Sequence, residues 1–155
     1  MTFQAVQGRL LNIMTGMKIP CDGYLMGWMY ELYAQQDPPW VCVFRSITAT
    51  NFELVHRTQL PTQDSGVNLK RLEIPFKVAK DDIVGLMFSS TTTDGSILQH
   101  MENNPTNIPT EDFYETYLEW GAPYHHIENT EIGDNFELSA AKWIVYKRVY
   151  QLQAV

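Results

Sequence analysis

Cys21-Asp22-Gly23-Tyr24-Leu25-Met26-Gly27-Trp28-Met29-Tyr30 is answered, beyond Asp37-Pro38-Pro39, by Trp40-Val41-Cys42-Val43-Phe44-Arg45. These two runs hold both cysteines and two of the four tryptophans. In the first, Tyr24, Met26, Trp28, Tyr30 and Leu32 fall on one face at period two, with Gly27 and Glu31 on the other. In the second, Val41, Val43 and Arg45 share a face, and Cys42 and Phe44 share its opposite. The pattern predicts strands over Tyr24–Tyr33 and Trp40–Ile47, pairing around Asp37-Pro38. Apolar residues on both faces favour a sandwich over a lone sheet.

Working outward, Phe3–Ile13 reads as a first strand containing Gly8, and Thr15–Pro20 as a turn. Phe52, Leu54 and Leu60 mark a further strand, ended by Pro61–Gly66. Leu72, Ile74, Phe76 and Val78 alternate with Glu73, Pro75 and Lys77. Pro75 has no amide hydrogen for a ladder, so it belongs at a bulge or on an edge. Asp81-Asp82 and Asp94-Gly95 read as turns, Ile83–Phe88 as a buried strand, and Ser96–Gln99 as another strand.

From His100 to Asn129 the alternation breaks, at Asn103-Asn104-Pro105 and again at Ile108-Pro109. This insert admits a helix over Glu111–Trp120, with Thr110 as N-cap, Glu111 and Asp112 in the first turn, and Gly121 past the end. Phe136–Leu138 and the terminal Tyr150, Leu152 and Ala154 restore strand character, while Ser139–Val149 fits strand or helix. The expected fold is all-β: one jelly-roll-like β-sandwich domain over residues 1–155, of about eight strands, with one long irregular insert containing a short helix. An immunoglobulin-type sandwich fits less well, because the second cysteine follows the first too closely.

The 155 residues suffice to bury a core without metals or disulfides, and 45% hydrophobic content is ordinary for a globule. A net charge of −7 with no basic cluster speaks against nucleic acid or an anionic membrane as partner. No apolar run approaches the roughly 20 residues of a membrane span. The opening Met1–Val6 lacks the features of a signal peptide, which fits a cytosolic protein and equally a secreted one written without its signal. The two cysteines are compatible with one bridge or with two thiols.

Cys21-Asp22-Gly23, then Gly27-Trp28, Val43-Phe44-Arg45 and Phe52-Glu53-Leu54-Val55, come in an order with a known counterpart. Asp81-Asp82-Ile83-Val84-Gly85 and the closing Arg148–Val155 continue it. The series resembles a secreted jelly-roll module of mollusc, cnidarian and echinoderm extracellular proteins. Three departures stand out: Asp81 where the module has glycine, Phe44 in place of tryptophan, and the long insert. The resemblance implies a secreted, non-enzymatic module and supplies no catalytic residues.

The residues themselves name no reaction. Ser65 and Ser96 lack a Gly-x-Ser-x-Gly setting, and no glycine loop is built to cradle phosphate. His125-His126 with Glu128, and His100 with Glu102, have ligand chemistry suited to zinc or copper. Neighbours on an extended chain point to opposite faces, however, so solvent-facing loop histidines account for them better. Asp81-Asp82, Asp94 and Glu128–Asp134 offer oxygen to calcium but lack the spacing of a calcium loop; turn chemistry explains them better.

The aromatic insert is the strongest candidate for contact with a ligand: Tyr114, Tyr117, Trp120, Tyr124, His125 and His126. Its plain alternative is a lid packed over one end of the sandwich, and Trp28 and Trp143 read as core. The expected function is a non-enzymatic extracellular protein that binds a ligand or self-assembles as a homo-oligomer or with related subunits. A glycan would use these aromatics with Glu119 and Glu128; an apolar ligand such as a carotenoid or lipid would use a dry slot lined by some of the seven methionines. A purely structural assembly module is the alternative, and a small hydrolase the third option.

Overall fold

In the computed structural model, residues 4–7, 11–32, 39–61, 66–91, 94–101, 114–120, 124–139, 142–150 and 152–155 are described. They form twelve antiparallel strands and no α-helix. One sheet runs β10 (Asn135–Glu137), β5 (Asn51–Gln59), β4 (Trp40–Ser46), β7 (Ile83–Met87), β2 (Asn12–Lys18), β9 (Tyr114–Glu119), β11 (Trp143–Tyr150) and β8 (Asp94–Met101), and β1 (Gln4–Gln7) pairs with β8. The second consists of β12 (Leu152–Ala154), β3 (Gly23–Leu32) and β6 (Gly66–Val78), joined to the first where Leu32 meets Ile97. The expected all-β sandwich is therefore present, in more and shorter strands than the eight or so that turn spacing suggests.

Within the first sheet, β4 and β7 are buried on both faces. Val41 and Val43 enter a core shared with Leu25, Trp28 and Tyr30 of β3, whereas Cys42 and Phe44 enter a second core on the opposite face. All five residues of β7 are buried, divided in the same way. Phe136 on β10 and Trp143 on β11 stand far apart in strand order yet share the second core, so the sheet curls into a half-barrel around it. Phe44 packs there edge-on to Phe136, ring centres 5.5 Å apart. A Cβ on Gly85 would lie 2.5 Å from the Phe44 ring and 2.7 Å from the Asn12 carbonyl, so only glycine fits beside that ring.

Several expectations are corrected. β3 and β4 do not pair: β3 lies between β6 and β12, and β4 between β5 and β7, in different sheets. β4 turns instead into a hairpin with the strand that follows it, β5, and takes β7 on its other side, and within the first sheet both of its apolar faces are covered. The period-two face of β3 also breaks. Leu25 and Trp28 point inward, while Tyr24 and Met26 are exposed. The cause is a register break in which Leu25 meets Phe76 but Gly27 meets Arg71, leaving Leu72–Pro75 as a bulge. Pro75 thus sits at a bulge on a strand that, among the described residues, pairs only with β3, as its missing amide requires.

Thr15–Lys18 continues β2 instead of turning, and β8 already includes Asp94-Gly95. The helix proposed over Glu111–Trp120 is replaced by β9, which lies between β2 and β11. Ladder partners on both sides outweigh the local helix signals there. Trp143-Ile144 is likewise strand, and Trp28 and Trp143 are core residues as expected. Gly8, Asp37-Pro38, Ser65, Glu102, Asn103-Asn104-Pro105, Ile108-Pro109, Thr110–Asp112 and Gly121 lie outside the described residues.

Candidate functional site

Three of the motifs that carry the resemblance meet at one turn. Asp82 is almost wholly buried, and its two oxygens accept Nε and Nη2 of Arg45 at 3.0 and 2.9 Å. The Ala79 amide donates to the same carboxylate, and the Asp22 carboxylate accepts the Lys80 amide. Asp81 has φ of 71°, the left-handed region that glycine occupies at no cost, and Asp is one of the few other residues to visit it readily. Cys-Asp-Gly, Val-Phe-Arg and Asp-Asp-Ile-Val-Gly are therefore parts of a structural lock. With its oxygens committed to Arg45 and Ala79, Asp82 is accounted for without calcium.

Asp134 and Glu128 resolve similarly, and the side chain of Asp94 lies outside the described residues. Asp134 accepts the Glu131 amide in a turn where Gly133 has φ of 100°. Glu128 accepts the Ser89 hydroxyl and the Ser90 amide, and these bonds, the hydroxyl first, hold its carboxyl below the usual range. Among the described residues no three His, Cys, Asp or Glu side chains gather in a metal-holding group.

The aromatic insert builds something more specific. Glu119 ends β9 directly across from Trp143 of β11, with its side chain fully buried. A lone buried carboxylate costs several kcal/mol, and this one is compensated from two sides. Oε1 accepts the His125 main-chain N–H and faces Lys142 Nζ, both at 3.1 Å; Oε2 lies 2.8 Å from His125 Nδ1. Because a carboxylate only accepts, Nδ1 carries the proton, and in the neutral ring Nε2 is left as an acceptor. The His125 ring also meets the edge of Phe136, with centres 4.9 Å apart.

Around this carboxylate the segment from Tyr124 to Thr130 is fixed by hydrogen bonds. The Tyr124 hydroxyl donates to the Trp120 carbonyl, Asn129 Oδ1 accepts the His126 amide, and Asn129 Nδ2 donates to the Tyr124 carbonyl. Ile127–Asn129 form a single 3-10 turn, and Arg57 Nη1 donates to the Thr130 carbonyl at 2.8 Å. Trp120, next along from Glu119, has its amide bonded to the Lys142 carbonyl and its side chain 48% exposed. His126 Nε2 is enclosed with no hydrogen-bond partner.

Of the six residues expected to bind, the structure brings Trp120, Tyr124, His125 and His126 to one end of β9. Tyr117 packs half-buried against the second core. Tyr114 pairs with Arg148 in the β9–β11 ladder, and its side chain lies outside the described residues. Glu119, expected only as a rim acid for a glycan, is the buried centre; Glu128 is bound elsewhere, to Ser89 and Ser90. Lys142 carries no local sequence signal, because only the β9–β11 register places it beside Glu119.

No protein-family model, curated protein or solved structure matches the chain. Among the described residues no helix is long and apolar enough to cross a membrane.

Proposed function

We propose that the protein is a non-enzymatic, extracellular binding module whose ligand is a glycan, held at the end of β9. The half-exposed Trp120, on a backbone fixed by its neighbours, carries this reading. An aromatic face accepts the C–H face of a sugar ring, and adjacent polar atoms accept its hydroxyls. His125 Nε2 is such an acceptor, kept in one tautomer by Glu119. Secretion is proposed on the resemblance of the motif series.

The test is calorimetric titration of the whole chain against neutral and acidic oligosaccharides. Binding that Trp120→Ala abolishes supports the proposal. No heat across the panel, or unchanged binding by Trp120→Ala, sinks it. Hydrolysis of a bound glycan that stops in His125→Asn would favour the small-hydrolase reading.

A second reading has its own support. Trp28 Nε1 and the Tyr30 hydroxyl are buried between the sheets without hydrogen-bond partners. Two such orphans are unusual in a native core and would suit an apolar ligand bearing a carbonyl, such as a keto-carotenoid or a fatty acid. Native mass spectrometry with an absorbance spectrum, on protein from its source, checks this. Bare subunit masses and a purely aromatic spectrum would remove it.

A further inference from the structure

β3 turns two hydrogen-bond donors into the first core. Trp28 is wholly buried and Tyr30 is 1% exposed, and neither Trp28 Nε1 nor the Tyr30 hydroxyl has a hydrogen-bond partner in the fold. A buried donor is normally paired, because it gives up its water on folding. Alternate residues of a strand face the same way about 7 Å apart, so these two enter the core side by side. Leu152 and Ala154 of β12 stand directly across from Tyr30 and Trp28 and pack into the same core.

The chemistry of the pair is one-sided. An indole N–H only donates, and the phenol beside it has a proton to donate as well. Burial pushes the Tyr30 pKa up, so the hydroxyl keeps that proton. A carbonyl oxygen carries two lone pairs and no proton, and can accept from both side chains. An alcohol would bring a further donor into the core. A carboxylate would bring a charge, and among the described residues no Lys, Arg or His is buried to offset it. Met14 lies in this core and Met17 at its margin, adaptable side chains around which an apolar chain can be seated.

We infer that the core between the two sheets takes a neutral, lipid-like ketone or ester whose carbonyl oxygen accepts from Trp28 Nε1 and the Tyr30 hydroxyl. The inference rests on the reading of an apolar ligand between the sheets and narrows it. The polar end is uncharged, which sets an ionised fatty acid aside, and it is anchored on β3. The glycan reading is independent of it, because that site lies at the end of β9.

Fluorescence and calorimetric titration of the delipidated whole chain test it, with four probes of similar length. These are methyl nonyl ketone, methyl decanoate, undecane and, at pH 8, decanoate. The ketone or the ester is expected to bind at least tenfold more tightly than undecane or decanoate, and the tighter of the two gives the functional group. Tyr30→Phe should weaken that binding by about tenfold. In the unliganded protein the same change should raise the urea midpoint, because it deletes an unpaired donor and almost no volume. Trp28→Phe, verified as folded by far-UV circular dichroism, should weaken binding in the same way.

Decanoate or undecane bound as tightly as the ketone and ester overturns the inference and leaves an apolar ligand standing. No binding of any of the four removes both. Unchanged ketone and ester affinity in Tyr30→Phe overturns the inference. So does an unliganded Tyr30→Phe less stable than the wild type, since the hydroxyl would then be paired within the fold.

Discussion

His125 Nδ1 lies 2.8 Å from Oε2 of Glu119, while Oε1 of the same carboxylate takes the His125 main-chain N–H. One buried side chain thus sets both the backbone position and the ring tautomer of a residue six places on. Lys142, from the chain preceding β11, completes the arrangement.

Removing that carboxylate should leave Lys142 and His125 facing each other without compensation. Both are partly exposed, so the expected loss for Glu119→Ala is about 2–3 kcal/mol, less than for a wholly buried pair. Glu119→Gln keeps one acceptor and should cost about half as much. Urea unfolding of the three proteins measures this. Equal stability would mean that the carboxylate is not the anchor.

The Asp81-Asp82 turn separates two effects in adjacent residues. Asp82→Ala strands the Ala79 amide and frees Arg45, and should cost about 2–3 kcal/mol. Asp81→Gly should be close to neutral, because easier backbone geometry at φ of 71° offsets a more flexible unfolded chain. Asp81→Val, a β-branched residue in the left-handed region, should lose about 1–2 kcal/mol. Thermal or urea melts rank the three. Asp81→Val as stable as wild type would remove the backbone explanation.

Cys21 and Cys42 are both free, the first exposed and the second buried in β4. Burial pushes the Cys42 thiol up to about 12. A thiol reagent at neutral pH should therefore label Cys21 quickly and Cys42 only after unfolding. The sign of the alkaline effect follows. Above the ordinary thiol value of 9.0 the unfolded chain ionises and the folded chain does not, so stability falls as pH rises towards 12, by up to about 1.4 kcal/mol per pH unit. Cys42→Ala should lack this component, whatever its cost from lost packing.

His56 supplies the opposite arm. Its ring stacks on Phe76 with centres 4.5 Å apart, Nε2 lies 2.6 Å from the Thr58 hydroxyl, and burial holds its pKa below the ordinary 6.5. Below pH 6.5 the unfolded chain takes up a proton that the folded chain refuses. Stability contributed by neutral His56 is thus full above 6.5 and declines as pH falls through its folded value. His56→Phe should flatten that part of the stability–pH curve. An unchanged slope would show that another group carries the acid loss.

Much of the fold was legible because strand periodicity is local. The double-sided apolar pattern of Val41–Phe44 and Ile83–Phe88 announced strands covered on both faces, and Pro75 announced a bulge or an edge. Pairing was less legible. Sequence proximity suggested that β3 and β4 form a hairpin, but each found ladder partners elsewhere. The helix signals around Glu111–Trp120 were also local, and yielded to β2 and β11 on either side of β9. The aromatic candidates divided by parity and position: Tyr117 turned to the core, whereas Trp120, just beyond the last ladder pair, remained exposed.

By itself the sequence determined the all-β class, the main apolar strands and the segment that bears the candidate site, since each depends on spacing within a few residues. Only the tertiary structure decided which strands are neighbours, that Glu119 is buried against Lys142, and that the Trp28 and Tyr30 donors enter the core unpaired. Those depend on register between distant segments, where one residue of slip exchanges a strand's inward and outward side chains.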